Sequence, residues 1–286
     1  MFGQVGNLYL EVIEKLPIAV FRKRYTFTDN DEFRKIMASD LPRGQKIYWY
    51  EILMRSHMTA ATAILRSKRW INGIVSSAKT SNLLAFAATL RGLIESAADT
   101  HTALLNVPAT LARDHSMITT ALVGKADKVF IVEELEDYLI HYSHARKTKK
   151  SEVVPDSHRA QQIRDYIAIL EKGEAHRVVE CYSQLCDLTH PGASSVWMWL
   201  NAESDLEIEL ETRQEQAVIN WFLTEYETLY ADLFMFAFNM PIVTLAVLNY
   251  FPITEFHTPE LKDWNLSDIR AWRNISKTLS EVPLKV

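Results

Sequence analysis

Arg91, Glu95 and Asp99 stand four residues apart in a stretch that is otherwise apolar from Leu83 to Leu105. A spacing of four lays the three side chains along one stripe of a helix. Such a stripe is either solvent-exposed with an ordinary ion pair, or turned to a core or cleft. In the second case the charges require partners and mark a site or a specificity device. Tyr182, Cys186 and His190 form a second stripe at the same spacing, ending just before Pro191. A histidine there complements the helix dipole and bonds the last carbonyls, or serves as an acid, base or ligand because imidazole changes charge near neutral pH. Arg91, Glu95, Tyr182 and His190 are the candidate catalytic set, and chemistry requires them to meet in one cleft.

Arg146, Lys147, Lys149 and Lys150 concentrate positive charge after a segment that opens with Glu133, Glu134, Glu136 and Asp137. That polarity suits a helix dipole with no partner at all, and the alternative is contact with RNA phosphates. Arg66, Lys68, Arg69 and Trp70 make a second basic spot with an aromatic beside it. Asp187 with His190, and Asp137 with His141, have spacings that let two ligands share a helix face. Neither pair brings the further ligands of a complete site, so no metal or cofactor is expected. Phosphate loops, nucleophile elbows and His-Glu-x-x-His motifs are absent from the sequence.

The elements that must position these residues read as helices. Only 8 glycines and 9 prolines punctuate 286 residues, which favours long helices over a many-stranded sandwich. Residues 1–45 read as an N-terminal arm of two short helices, the second signalled by Thr28 to Asp31 and ending near Leu41-Pro42. Residues 46–251 read as an all-α bundle. Its first two helices, about 47–77 and 81–105, are expected to pack antiparallel, and shorter helices follow at about 108–123, 125–146, 157–172 and 174–189. Alternation in Val196 to Leu200 and Leu206 to Leu210 predicts one β-hairpin with a face against the bundle. A long helix from about 214 to 249 closes the core, and residues 252–286 form a tail with an amphipathic helix at about 266–279.

Apolar residues are 48% of the chain and charged residues 23%, an ordinary globular balance. The net charge of -5 argues against a surface devoted to nucleic acid. Cys181 and Cys186 point apart on a helix and fit neither a disulfide nor a zinc pattern, which suggests a reducing compartment. The first ten residues have no signal-peptide pattern, so the expected location is cytoplasmic. Residues 233–254 carry no charge and are long enough to span a bilayer. Asn239, Pro241 and Asn249 interrupt them and no Lys or Arg anchors them, so a buried helix kinked at Pro241 is expected, with no membrane partner. A membrane-associated effector using this stretch is the alternative.

Arg91-x-x-x-Glu95 on one long helix, with Tyr182-x-x-Leu185 and His190-Pro191 before a hairpin, resembles uncharacterised bacterial all-α proteins related to the HEPN superfamily. The resemblance covers about residues 45 to 250. It implies a helical bundle, often a homodimer or bound to a protein partner, in bacterial stress or phage defence, with RNA as a candidate partner. Ribonucleases of that superfamily carry an arginine followed by four to six residues and a histidine, and no arginine of this chain does. The resemblance therefore points first to a binding or interaction module, and second to an RNase-type toxin acting through Arg91 and His190.

Overall fold

The computed structural model describes residues 2–149, 151–204, 207–210 and 214–283. It is an all-α protein with a single small hairpin among the described residues. The contacts resolve into two compact units. Each is drawn from three stretches of chain, a different grouping from the linear arm, bundle and tail.

The first unit comprises residues 1–13, 65–99 and 161–237. It contains α1 (Gly3–Glu14, to residue 13), the second part of α3 (Leu41–Lys79) and most of α4 (Leu83–Leu104). With these come α8 (Ile163–Lys172), α9 (Val178–Thr189), α10 (Ala193–Trp197), the strands β1 (Leu200–Ser204) and β2 (Glu207–Leu210), α11 (Gln214–Glu225) and the start of α12 (Glu227–Leu248). Ser77 does not end α3: its hydroxyl donates to the Gly73 carbonyl inside the helix, which runs on to Lys79. Asn82 then accepts from the Ala85 amide and starts α4.

The antiparallel packing of these two helices is present in this unit. Arg66 lies by Asp99, Trp70 by Gly92 and Gly73 by Thr89, so the residue numbers run in opposite directions. A Cβ at Gly92 would stand 2.7 Å from the Trp70 indole, so the close approach depends on glycine. Leu83, Phe86, Ala87, Leu90, Leu93, Ile94, Ala97 and Ala98 are all buried, the three-and-four periodicity that the sequence advertises.

The second unit comprises residues 14–64, 100–160 and 238–286. It holds α2 (Asn30–Ser39), α5 (Val107–Arg113), α6 (His115–Leu122), α7 (Glu133–His144), α13 (Arg270–Leu279), the first part of α3 and the ends of α4 and α12. Asp29 caps α2 by accepting from the Asp31 and Glu32 amides. Leu41 and Pro42 open α3 instead of closing α2, consistent with proline's tolerance in a first helical turn. Residues 22–28 form neither helix nor strand and strap onto α3. The Tyr25 hydroxyl meets His57 Nδ1 at 2.8 Å, the Arg55 guanidinium stands 4.2 Å over the Phe27 ring, and the Thr28 amide donates to Glu51 at 2.7 Å. Asn249 is buried and exchanges two hydrogen bonds with the Thr258 backbone, so it ties the turn after α12 to the core.

Several boundaries differ from the sequence expectation. The segment 108–123 breaks into α5 and α6 at Asp114, whose backbone leaves helical geometry. Only Glu133–His144 of 125–146 and Ile163–Lys172 of 157–172 are α-helical, and the tail helix starts at Arg270. Tyr226 is a turn residue between α11 and α12. Val196 and Trp197 belong to α10, and the first strand begins at Leu200. The hairpin pairs Leu200 with Leu210, Asn201 with Glu209 and Ala202 with Ile208. Its apolar face is not packed: Ile208 is 53% exposed and Leu210 71%. Residues 205–206, part of the expected second strand and its turn, lie outside the described residues.

One helix, Glu227–Leu248, is long and apolar enough to cross a bilayer, and 72% of its most apolar window is buried inside the structure, as in a core helix. It runs through Pro241, which has no N–H for the Ala237 carbonyl. The two units divide at that same Ala237–Phe238 link.

Candidate functional site

The stripe on α4 splits into two clusters, both within the first unit. Asp99 accepts from Arg66 Nη2 at 2.6 Å and from the Tyr166 hydroxyl at 3.2 Å. Arg66 Nη2 also reaches the Ser96 carbonyl at 3.3 Å. Burial first, and the adjacent Asp99 carboxylate next, hold the Tyr166 phenol well above its ordinary range. Asp99 is thus a structural tie between α3, α4 and α8.

The second cluster joins α4 to α9. Arg91 Nη1 donates to Thr189 Oγ1 at 2.5 Å, and Arg91 Nη2 lies 3.5 Å from the Tyr182 hydroxyl and 3.8 Å from Glu95 Oε1. Tyr182 in turn donates to Glu95 Oε1 at 2.6 Å. Thr189 passes its own proton to the Leu185 carbonyl at 2.8 Å. Burial opposes the Arg91 charge, and Tyr182, Cys186 and Glu95 more than offset that, so the guanidinium is held charged. Burial, then the hydrogen bond to Glu95, pushes the Tyr182 phenol far above its usual range. A phenol so held stays protonated at neutral pH and donates to Glu95, so it offers neither a nucleophile nor a base.

Three of the four candidate catalytic residues therefore meet, and His190 does not join them. It is exposed, its extended backbone ends α9, and its amide donates to the Cys186 carbonyl. Its ring makes no hydrogen bond among the described residues. The stripe from Tyr182 leads instead to Thr189, seven residues on and still helical. Thr189 is the member of the cluster that the sequence reading missed. The spacing of seven was the available signal.

Nearby Cys181 is buried, and burial pushes its thiol up to about 12, which keeps it protonated. Among the described residues no three His, Cys, Asp or Glu side chains gather to hold a metal ion. In the second unit, Arg146 is ion-paired with Glu152, and its backbone bridges Arg159. The His144 and His158 rings stack at 5.4 Å, which closes the loop. Lys147 and Lys149 are exposed on it, and Lys150 lies outside the described residues.

The second unit also contains a cavity that the sequence did not flag. It has a volume of about 370 Å³ and is lined by Thr26, Thr28, Arg43, Lys46, Ile47, Tyr50 and Glu51. No family model, curated protein or solved structure matches this chain.

Proposed function

We propose that this chain is a helical interaction module that pairs with a second copy of itself through α10 and the β-hairpin. The observation that carries the reading is the exposure of Val196, Trp197, Ile208 and Leu210 in one short stretch. A two-stranded hairpin is marginal in water without a packed face. Register puts Leu200, Ile208 and Leu210 on one face and Glu207 and Glu209 on the other. A face-to-face, two-fold pairing would bury the apolar side while the carboxylates point away, so like charges do not meet. The polar cluster supports the same reading, because Tyr182 is protonated and committed to Glu95 and the His190 ring stands apart. The setting in bacterial stress or phage defence belongs to this proposal and rests on the HEPN resemblance alone.

Light scattering on the purified chain tests it. The expected result is the mass of two chains, falling to one in Ile208→Lys/Leu210→Lys with helical content and melting temperature unchanged. A wild-type monomer throughout the micromolar range would overturn the pairing. Cleavage of RNA that disappears in His190→Ala would overturn the non-catalytic reading in favour of an RNase toxin.

A further inference from the structure

A second cavity of about 350 Å³ lies in the same unit, lined by Lys46, Tyr50, Leu122, Pro252, Ile253, Thr254 and Glu255. It shares Lys46 and Tyr50 with the cavity beneath the strap. Each volume falls in the range of small-molecule sites. The two ends differ in chemistry. At the strap end, Arg43 and Lys46 stand three residues apart on one face of α3, and neither has an ion-pair or side-chain hydrogen-bond partner among the described residues. Thr26 and Thr28 line the same space. Glu51 lines it too, but one of its oxygens is taken by the Thr28 amide. At the other end the wall is Leu122, Pro252, Ile253 and Thr254, and its charges are the shared Lys46 and Glu255, which accepts from the Tyr50 hydroxyl.

We propose that these adjoining cavities bind a phosphomonoester of about mononucleotide size, with its phosphate on Arg43, Lys46, Thr26 and Thr28 and its uncharged body beyond Tyr50. Two adjacent cations match a doubly charged group better than a carboxylate, and a guanidinium fork suits two phosphate oxygens. At the far end the Lys46 and Glu255 charges offset each other, so that end takes a moiety of no net charge that can donate a hydrogen bond to Glu255. The strap is pinned at three points along α3, through Tyr25, Phe27 and Thr28, so the phosphate end is formed before the ligand arrives. This site is independent of the hairpin and of the pairing proposed above.

Titration calorimetry with adenosine 5′-monophosphate, inorganic phosphate and adenosine tests the proposal on the full chain. The nucleotide is expected to bind at least tenfold more tightly than either of its parts, and more weakly as salt rises. Arg43→Ala/Lys46→Ala should lose at least tenfold in nucleotide affinity with an unchanged melting temperature, and Arg43→Lys/Lys46→Arg should retain most of it. Ile253→Trp, which fills the far end, should weaken the nucleotide and spare phosphate. The site is overturned if the wild type binds no nucleotide at millimolar concentration, or if the alanine pair binds as well as wild type. Equal affinity for phosphate and nucleotide would overturn its two-ended character.

Discussion

The Arg91 cluster and the strap cavity are made from the same four residue types, arranged to opposite effect. In the first, Tyr182 donates to Glu95 within the cluster; in the second, Tyr50 donates to Glu255 outside the cavity, and the cavity's own Glu51 accepts from the Thr28 amide. Burial first and the Glu255 carboxylate second push the Tyr50 phenol up to about 12, so both phenols are neutral donors. On α4 the arginine lies beside the Tyr182–Glu95 pair and also donates to the threonine hydroxyl, so both charges have partners in the protein although the buried Arg91 Nε has none. At the start of α3 Tyr50 donates to Glu255 and Glu51 accepts from the Thr28 amide, while Arg43 and Lys46 line the cavity with no ion-pair partner among the described residues. Residue types alone therefore do not mark a binding site. What marks one is charge that the fold leaves unanswered in a concave place.

The largest expected effect sharpens that contrast through the strap. His57 is fully buried against Tyr25 and Phe256, and burial, with the Lys23 charge adding to it, pushes its imidazole down to about 4. The unfolded chain protonates this histidine near 6.5, so stability is full above that pH and is lost as pH falls from 6.5 toward 4. The loss through this one group is roughly 3 kcal/mol. Urea unfolding of wild type and His57→Gln from pH 7.5 to 4.5 measures it, with the wild type falling more steeply. Parallel curves would show that the strap is not anchored on a neutral histidine.

Next in size is Arg91→Ala. Breaking a fully buried pair costs about 3 to 5 kcal/mol. Arg91 and Glu95 retain 22% and 32% of their side-chain exposure, so screening brings the expected loss to about 2 kcal/mol. Tyr182→Phe removes the hydroxyl that Glu95 and Arg91 share and should cost about 1 kcal/mol. Thermal or urea unfolding checks both. An Arg91→Ala variant as stable as wild type would place Arg91 with the unanswered cations and break the comparison.

The long helices and the two polar stripes were legible in the sequence because periodicity of 3.6 repeats over many residues from Ile47 to Leu104. The meeting of Arg91 with Tyr182 was legible only as two separate stripes, since nothing in the spacing says that α9 packs on α4. His190 shows why extrapolating a stripe fails: it is four residues beyond Cys186, but the helix stops at Thr189 and the chain turns extended. Asn249 reads as an interruption of an apolar run, yet its two bonds to the Thr258 backbone are what keep the next segment in place. The cavity was hidden for a different reason. Thr26 and Thr28 belong to a strap with no periodic signal, and the cavity they line with Lys46 exists only because residues 22–28 fold back over α3.

The smallest expected effect is the one that bears most directly on the comparison. Arg43 and Lys46 are exposed, three apart on one helix face, and unpaired among the described residues, so each repels the other and stabilises nothing in the fold. Arg43→Ala/Lys46→Ala should therefore leave unfolding stability within about 0.5 kcal/mol of wild type, the ordinary range for surface changes. Its direction depends on salt. At low ionic strength the repulsion is unscreened and the variant should be marginally the more stable. As salt rises past the point where the Debye length falls to about 10 Å, the gap should close. A variant clearly less stable than wild type at every ionic strength would mean that the two cations are answered within the fold after all. That result would remove the distinction between the α3 cavity and the α4 cluster. Unchanged stability, set beside the loss in Arg91→Ala, would show that the fold keeps one arginine for itself and leaves the other free.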